Sequence, residues 1–375
     1  SKWVGTIKTD ADIELILNNA LFQPNVKTAN DFFVKYEMKS LIRELNSNNN
    51  HSSEIIDFNS LNKDGYISIF PHYRLDSDWP HPILGLAFSD GVHTTYLSYE
   101  ELIQHKSALD VCLNKKDLIS YDVKSLFHAQ TDDFKVNPKI WDVMILGFAL
   151  DSNLNTYQKL ADTYHWPSYP VAKLDEENTG LARQIAYKMH SSFSLIKEAC
   201  EKEGLLEVYT TIDYPLVEVL YEMEKNGIRV NGSILDDIAE SSLKKLNQLS
   251  KEIYHHAGKE FNINSPKQLG DVLLNQLNLS ANRKLSTSIE VLESLRNDHP
   301  IIEPLIEYRK YQKIYSTYAV GLKKFILSDN KIHTVYNMTT AQTGRLSSVD
   351  PNLQNIPIRD EEAREIRKAF LPSEG

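Results

Sequence analysis

Residues 339–359 read TTAQTGRLSSVDPNLQNIPIR, a run with too few apolar residues for a core segment and no helical spacing. Its side chains are mostly hydroxyls, amides and two arginines, the groups that contact nucleic-acid backbones and base edges. Gly344 permits a close backbone approach, and the pair Asp350 and Pro351 indicates a turn. On this chemistry alone, the run is either a polar binding loop or a solvent-exposed turn.

The segment before this run, residues 233–328, is predicted to be an all-helical subdomain with short polar connections. Its first helix is expected to end at Gly258. Two further helices carry capping-box patterns. The side chains of Ser265 and Thr287 are expected to cap the helix starts, and those of Gln268 and Glu290 to accept from the backbone N–H of the respective cap residue.

The charge is distributed unevenly along the chain. The net charge is -10, but residues 1–212 hold 20 Lys and Arg against 29 Asp and Glu, whereas residues 213–375 hold 21 against 22. Residues 305–325 carry five basic side chains, among them Arg309 and Lys313, against one acidic side chain. This basic run is either a surface for an anionic partner or a solvated helix face, so the overall acidity does not exclude a nucleic-acid partner.

The N-terminal half has a different pattern. Residues 10–45 have helical spacing, and NSNNNHSS at 46–53 is a polar linker. The stretches GYISIF, PILGLAFS and HTTYLS have strand composition, and helical patterns that include WDVMILGFALD follow them. Residues 54–205 are therefore predicted to form an α/β or α+β domain. A helix over YPLVEVLYEMEKNG and a short strand, IRV, come next.

Cysteine and hydropathy patterns indicate a cytosolic protein. Cys112 and Cys200 are the only cysteines, which excludes a disulfide framework, and no Cys/His cluster offers a zinc site. The sequence has no apolar run long enough to span a bilayer and no signal-peptide pattern.

The stretch TGRLSSVDPNLQNIPIRDEEAREIRKAF resembles the first palm motif of the family A DNA polymerases. Similarly, EYRKYQKIYSTY and GKEFNINSPKQLGDVL resemble the thumb of that family, and DYPLVEVLYEMEKNGIRV resembles its first palm helix and strand. Residues 54–205 resemble its 3'–5' exonuclease domain less closely. The resemblance implies an α/β, ribonuclease H-like mixed sheet with helices, an all-α thumb and the first part of an α+β palm. The implied domains are 1–52 (helical segment and linker after a 5' nuclease), 53–205 (exonuclease-like), 206–232 (palm), 233–330 (thumb) and 331–375 (start of the palm).

The resemblance also implies roles for individual residues. Arg345 would contact the minor groove of primer-template DNA, and Arg359 would lie near the phosphates of the incoming nucleotide. Arg309 and Lys313 would hold the phosphate backbone from the thumb. The chain departs from the family pattern at Met338 and Ala341, where glutamine and threonine are usual. The remaining implied DNA contacts are Thr343, Ser347, Gln354 and Asn355.

The exonuclease motifs of the family are degenerate here. Where the family has Asp-x-Glu on a strand, this chain has Ile69, Phe70 and Pro71. Ser125 and Ser191 stand in place of two further aspartates, with Asp122 three residues from the first. Tyr187 is retained, and Asp142 is the one acidic match, so the resemblance implies a vestigial nuclease. Four other acidic residues either form a substitute cluster or are simply solvated acids in loops. They are Asp76, Asp78, Asp132 and Asp133.

The resemblance implies that the parent protein is a bacterial, cytoplasmic and nucleoid-associated DNA-directed DNA polymerase of replication and repair. It would be monomeric, bind primer-template DNA and deoxynucleoside triphosphates, use Mg²⁺ and need no membrane. The polymerase carboxylates of the family follow the position of Gly375, so this chain is expected to bind DNA, hold no metal and not polymerise. The alternatives are an active proofreading exonuclease and a non-catalytic DNA-binding scaffold.

Overall fold

The computed structural model describes residues 54–55, 57–61, 65–74, 80–114, 117–132, 134–136, 139–168, 176–279, 287–357 and 364–372. These residues divide into two compact units. The first contains the described residues up to Leu150 together with Leu154–Glu203, and the second contains Asp151–Asn153 and the described residues from Gly204 onward. The helical segment predicted over residues 10–45 lies outside the described residues.

The first unit is built on a six-stranded mixed sheet with the order β1-β4-β3-β2-β5-β6. The pairs β1–β4, β2–β5 and β5–β6 are parallel, and the pairs β2–β3 and β3–β4 are antiparallel. The predicted mixed α/β architecture is confirmed. The strands are β1 (Glu54–Ile55), β2 (Ile67–Tyr73), β3 (Ile83–Ser89), β4 (His93–Ser98), β5 (Leu118–Ser120) and β6 (Ile140–Asp142).

Helices pack on this sheet because its central strands are buried on both faces. Six of the seven residues of β2 are buried, as expected for a strand covered on each side. The helix predicted from Trp141 begins instead at Val143, because Trp141 and Asp142 belong to β6. The helices are α1 (Tyr99–Gln104), α2 (Lys106–Asn114), α3 (Val123–His128), α4 (Val143–Leu150), α5 (Tyr157–Tyr164) and α6 (Glu176–Lys202).

The second unit is mainly helical, and three of its helical runs contain a widened π-type turn. These turns are Tyr209–Asp213, Val272–Gln276 and Ile314–Ala319. The α-helices are α7 (Leu205–Val208), α8 (Tyr214–Asn226), α9 (Gly232–Ala257), α10 (Pro266–Asp271), α11 (Ile289–Ser294), α12 (Ile302–Lys313) and α13 (Val320–Lys323).

Two separate apolar clusters form the core of this unit. The first lies among α9, α10, α11 and α12 and includes Leu249 and Leu305. The second joins Leu235 of α9 and Tyr318 of the third widened turn to Ile366 near the C-terminal end. The helical part and the strand-bearing part therefore have cores of their own, and their assignment as thumb and palm stays a prediction.

The helix ends confirm the predictions for Gly258 and Ser265 and correct those for Gln268 and Thr287. Helix α9 ends at Gly258, which has a φ of 68°. Ser265 caps α10 through the N–H of Gln268, but the side chain of Gln268 accepts from the N–H of Asn262 at 2.8 Å instead of reaching back to Ser265. Ser288 occupies the cap position of α11 that was predicted for Thr287.

Short antiparallel strands complete the second unit. One sheet has the order β11-β7-β8, with β7 at Ile228–Val230, β8 at Lys331–Ile332 and β11 at Phe370–Leu371. Acidic residues at the start and basic residues near the end of DEEAREIRKAFL predict a helix through residue 371. This prediction is wrong at its end, because Glu365–Ala369 form a 3-10 helix and β11 pairs with β7. The second sheet is a pair, β9 (Val335–Asn337) and β10 (Ser347–Val349).

Candidate nucleic-acid interface

Residues 343–355, called the polar strip below, begin at the tip of the β9–β10 hairpin. The register pairs Ser347 with Asn337 and Ser348 with Tyr336. Gly344 has a φ of 72°, and its N–H donates to the carbonyl of Ala341 at 3.0 Å. Glycine adopts this left-handed conformation without the cost that a Cβ brings. The hairpin therefore fixes the start of the strip, and its tip carries exposed side chains.

A buried pair of hydroxyl groups, Thr334 and Ser348, holds the returning half of the strip. Their oxygens lie 2.7 Å apart, and the two residues are 4% and 0% exposed. The Thr334 hydroxyl also lies 2.8 Å from the carbonyl oxygen of Pro351, and Ser348 accepts from the N–H of Leu353 at 3.0 Å. Ser348 is thus a structural residue, although its hydroxyl chemistry resembles that of its neighbours.

Four of the five predicted contact residues in the strip are exposed: Thr343, Arg345, Gln354 and Asn355. Ser347 is partly buried, and its hydroxyl has no hydrogen-bond partner among the described residues.

A direct bond links the two ends of the strip, because the Gln354 side-chain amide donates to the carbonyl of Leu346 at 3.1 Å. The structure therefore brings the predicted contact residues of the strip onto one closed segment. Arg359 lies outside the described residues.

Tyr318, a residue that the sequence did not single out, fixes the strip to the helical part. It is 2% exposed, and its hydroxyl donates to the carbonyl of Asn355. Leu353 and Ile356 pack against the cluster that contains Tyr318. In sequence, Tyr318 looks like any aromatic core residue, so no local signal could have revealed this contact.

The two predicted thumb contacts differ in their surroundings. Lys313 is exposed, and its Nζ lies 6.0 Å from the centre of the Tyr318 ring, within the range of a cation–π contact. Arg309 is partly buried, its guanidinium donates to the carbonyl of Thr287, and burial lowers the pKa of this group. Lys313 is therefore the more accessible cation and adjoins the residue that anchors the strip.

In the first unit, the degenerate nuclease positions are occupied by apolar or internally bonded groups. Phe70 is 3% exposed, and both Ile69 and Pro71 are buried. The Ser125 hydroxyl donates to the Asp122 carboxylate at 2.6 Å. The Ser191 hydroxyl donates at 2.9 Å to the carbonyl of Tyr187, which is itself partly buried.

Asp142, the one acidic match, is 1% exposed and binds backbone. One carboxylate oxygen accepts from the N–H of Val123 at 2.8 Å, and the other accepts from the N–H of Met144 at 2.9 Å. Because α3 and α4 begin beside these groups, the carboxylate caps both helices. Burial, reinforced by the charge of Asp122, raises the pKa of Asp142 to about 7, against the lowering effect of the backbone bonds.

The described residues do not fit a magnesium site. Mg²⁺ requires several oxygen ligands in near-octahedral geometry. No group of three or more His, Cys, Asp or Glu side chains within the described ranges is placed to hold a metal ion. Of the alternative acidic cluster, Asp132 is exposed and lies 3.7 Å from Lys135, while Asp76, Asp78 and Asp133 lie outside the described residues. Likewise, no helix in the described part of the chain is long and apolar enough to cross a membrane.

The family model for "DNA polymerase family A" matches residues 233–375, which include the polar strip and the helices that anchor it. Residues 233–375 are therefore similar to DNA polymerase family A, and they are called the family A segment from this point. This family A segment contains every residue predicted here to contact DNA. The first unit, with the degenerate nuclease positions, lies outside the matched segment.

Named relatives match beyond the family A segment. DNA polymerase I of Streptococcus pneumoniae is 34% identical over 400 residues, covering 99% of this chain and 45% of that protein. DNA polymerase I of Lactococcus lactis is 46% identical over 198 residues, covering 52% of this chain and 22% of that protein. The chain thus spans about half the length, or less, of these curated relatives.

A solved structure supports the fold. The chain is similar to the POL domain of Pol1 from M. smegmatis, which was solved in complex with DNA primer-template and dNTP. The TM-score is 0.74 at 24% identity, and the match covers 84% of this chain and 56% of that chain. At this identity the similarity establishes the shared fold alone.

Proposed function

We propose that this chain is part of a DNA-directed DNA polymerase and binds primer-template duplex through the polar strip. The observation that carries this proposal is the exposed polar strip itself, fixed by Tyr318 and the Thr334–Ser348 pair and lying within the family A segment. Exposed hydroxyl, amide and guanidinium groups on a rigid backbone suit a duplex whose position must be held.

Arg345 is proposed to lie in the minor groove. There it would meet the purine N3 and pyrimidine O2 acceptors that A·T and G·C pairs have in common. Such a contact senses the shape of a correct pair without reading its identity. In the complete enzyme, loss of this contact should slow extension most at mismatched primer ends.

Lys313 and Arg309 are proposed to contact the phosphate backbone. The exposed ammonium of Lys313 is available for this role, whereas Arg309 would have to exchange its bond to Thr287 for a phosphate. Neutralised phosphates release counterions, so duplex affinity should fall steeply as salt rises. Replacing Lys313 with alanine should reduce the logarithmic salt slope by about 1.

The test is fluorescence anisotropy of a labelled primer-template duplex with the 375-residue chain. Arg345→Ala should weaken binding by about 1–3 kcal/mol if the contact forms. Arg296→Ala is a matched control, because that guanidinium already pairs with Glu303 at 2.7 Å in the same unit. Equal affinities for the Arg345 and Arg296 variants would contradict the proposal, as would salt-independent binding.

For catalysis, we propose that the complete enzyme uses Mg²⁺ and deoxynucleoside triphosphates. Magnesium supplies charge stabilisation at the transferred phosphoryl group when it is bound. The described residues of this chain contribute to holding the duplex and are not assigned to the metal, so the chain alone is proposed to be inactive in extension.

A nuclease scaffold is proposed for the first unit in preference to an active proofreading exonuclease. In place of the acids of the family, the first unit offers buried apolar residues at 69 and 71, two hydroxyls bonded within the protein and a carboxylate that accepts from backbone N–H groups. These are poor ligands for a pair of hard cations.

A further inference from the structure

Glu224 is a buried acid on the apolar face of α8. It is 1% exposed, and the other buried residues of that helix are Val217 and Leu220, two turns and one turn earlier respectively. Burying a carboxylate is costly unless it is hydrogen-bonded, so a side chain in this position indicates a specific partner. The partner lies in the segment that leads to the polar strip.

Two bonds join Glu224 to the stretch from His333, just after β8, to Tyr336 in β9. Its carboxylate accepts from the backbone N–H of Tyr336 at 2.6 Å. Its carbonyl lies 2.7 Å from Nδ1 of His333, whose Nε2 lies 3.0 Å from the carboxylate of Asp329. One helical residue therefore fixes both ends of residues 333–336.

These four residues determine where the strip lies. Tyr336 is paired with Ser348 across the β9–β10 hairpin, and Thr334 bonds to the same serine hydroxyl. Ser348 in turn accepts from the N–H of Leu353 in the second half of the strip. Glu224 is thus connected to the strip by hydrogen bonds together with the backbone of residues 334–336 and the β9–β10 pairing.

We infer that Glu224 is a positioning residue for the polar strip. Its carboxylate fixes β9 through the Tyr336 N–H, and the hairpin transmits that position to residues 343–355. The role in DNA binding rests on the proposed function of the strip, but the effect on the hairpin does not. A hydrogen bond to a charged acceptor is about twice as strong as a hydrogen bond to a neutral acceptor. The Glu224 carboxylate is therefore suited to holding β9 in one position.

The test compares Glu224→Leu and Glu224→Gln by amide hydrogen exchange and by duplex affinity. Leucine leaves the Tyr336 N–H without its acceptor, so exchange across residues 335–349 should rise and duplex binding should weaken, each by about tenfold. Glutamine keeps an acceptor oxygen and should restore both to within about threefold of the wild type, since a neutral acceptor is weaker than a charged one.

Leu220→Ala is the control for a merely structural role. It removes core volume one turn away on the same helix, and Leu220 is 1% exposed, as Glu224 is. The free energy of unfolding of the Leu220→Ala variant should fall, while its amide exchange at residues 335–349 and its duplex affinity stay at the wild-type level. If Glu224→Leu does not fold, Glu224→Gln tests the inference by itself. Its weaker acceptor should make the Tyr336 amide exchange faster than in the wild type, by up to about threefold.

Three results would overturn the inference: unchanged exchange in the Glu224 variants, no recovery with glutamine, or equal effects from Leu220→Ala. Failure of the wild-type chain to bind duplex would instead overturn the proposed function. In that case the exchange data would still decide whether Glu224 positions the hairpin.

Discussion

Replacing Asp142 with asparagine should change how the stability of the first unit depends on pH. Burial raises the pKa of this carboxyl from an ordinary value of 3.8 to about 7 in the folded protein. Below pH 4 the group is protonated in both folded and unfolded chains. Between about pH 4 and pH 7 the unfolded chain loses the proton first, so wild-type stability falls as pH rises.

The expected size follows from the same shift. About three pH units at about 1.4 kcal/mol each give a loss of about 4 kcal/mol, as an upper estimate, across this range relative to the variant. The variant also has a constant penalty, because asparagine places an NH2 group against the N–H of Val123 or Met144. An unsatisfied buried donor costs about 1–3 kcal/mol at every pH.

The assay is urea unfolding monitored by tryptophan fluorescence between pH 4 and pH 8. Trp141 and Trp166 lie in the first unit, and no tryptophan follows Glu203 in the sequence, so the described residues of the second unit contribute none of the signal. Asp132→Asn is the matched control, because that side chain is fully exposed and should leave the pH dependence unchanged. A stability difference between wild type and Asp142→Asn that is constant with pH would refute the reasoning. If the wild type instead gains stability relative to the variant as pH rises, the backbone N–H bonds, and not burial, dominate the pKa of Asp142.

Three further outcomes are expected. Gly227→Ala should destabilise the second unit by about 1–3 kcal/mol in calorimetry, since Gly227 has a φ of 59° and its new Cβ would lie 2.7 Å from the His333 ring, whereas Gly258→Ala meets nothing within 4 Å and should cost less. Tyr318→Phe should cost about 1 kcal/mol and speed amide exchange in the polar strip, because the Asn355 carbonyl loses its donor; unchanged exchange would count against Tyr318 as the anchor. Single-stranded DNA incubated with the purified chain and Mg²⁺ or Mn²⁺ should remain full-length on a denaturing gel, and 3' shortening that requires the metal would contradict the scaffold role.

Long periodic elements were predictable from the sequence, and among the short ones the strand IRV was predicted and is observed as β7. The buried strands β2 and β3 and the helix α9 have enough residues for their patterns to be read. In contrast, β5 and β6 have three residues each, and the sheet that surrounds them determines their conformation. The strand β11 was mistaken for helix because its pairing partner, β7, lies far away in sequence.

The site shows the same division between local and distant information. The residue types and spacing in residues 343–355 identified the strip, since its chemistry is contained in one segment. The roles of Glu224, Thr334 and Tyr318 come from hydrogen bonds to residues that are 14 or more positions away. A single sequence does not contain those contacts. An acid on the apolar face of α8 was the only available hint for Glu224.

The widened turn at Ile314–Ala319 has a consequence for how this protein tolerates insertions and deletions. Before the turn, Leu305 and Tyr308 face one apolar cluster, whereas Tyr318 near the end of the turn and Leu322 after it face the other. Removing one residue from the turn would rotate everything downstream by about 100° relative to α12, given 3.6 residues per turn. Tyr318 would then leave the carbonyl of Asn355, and Leu322 would leave its cluster. Natural variation in this helix should therefore exchange one residue for another while keeping its length constant.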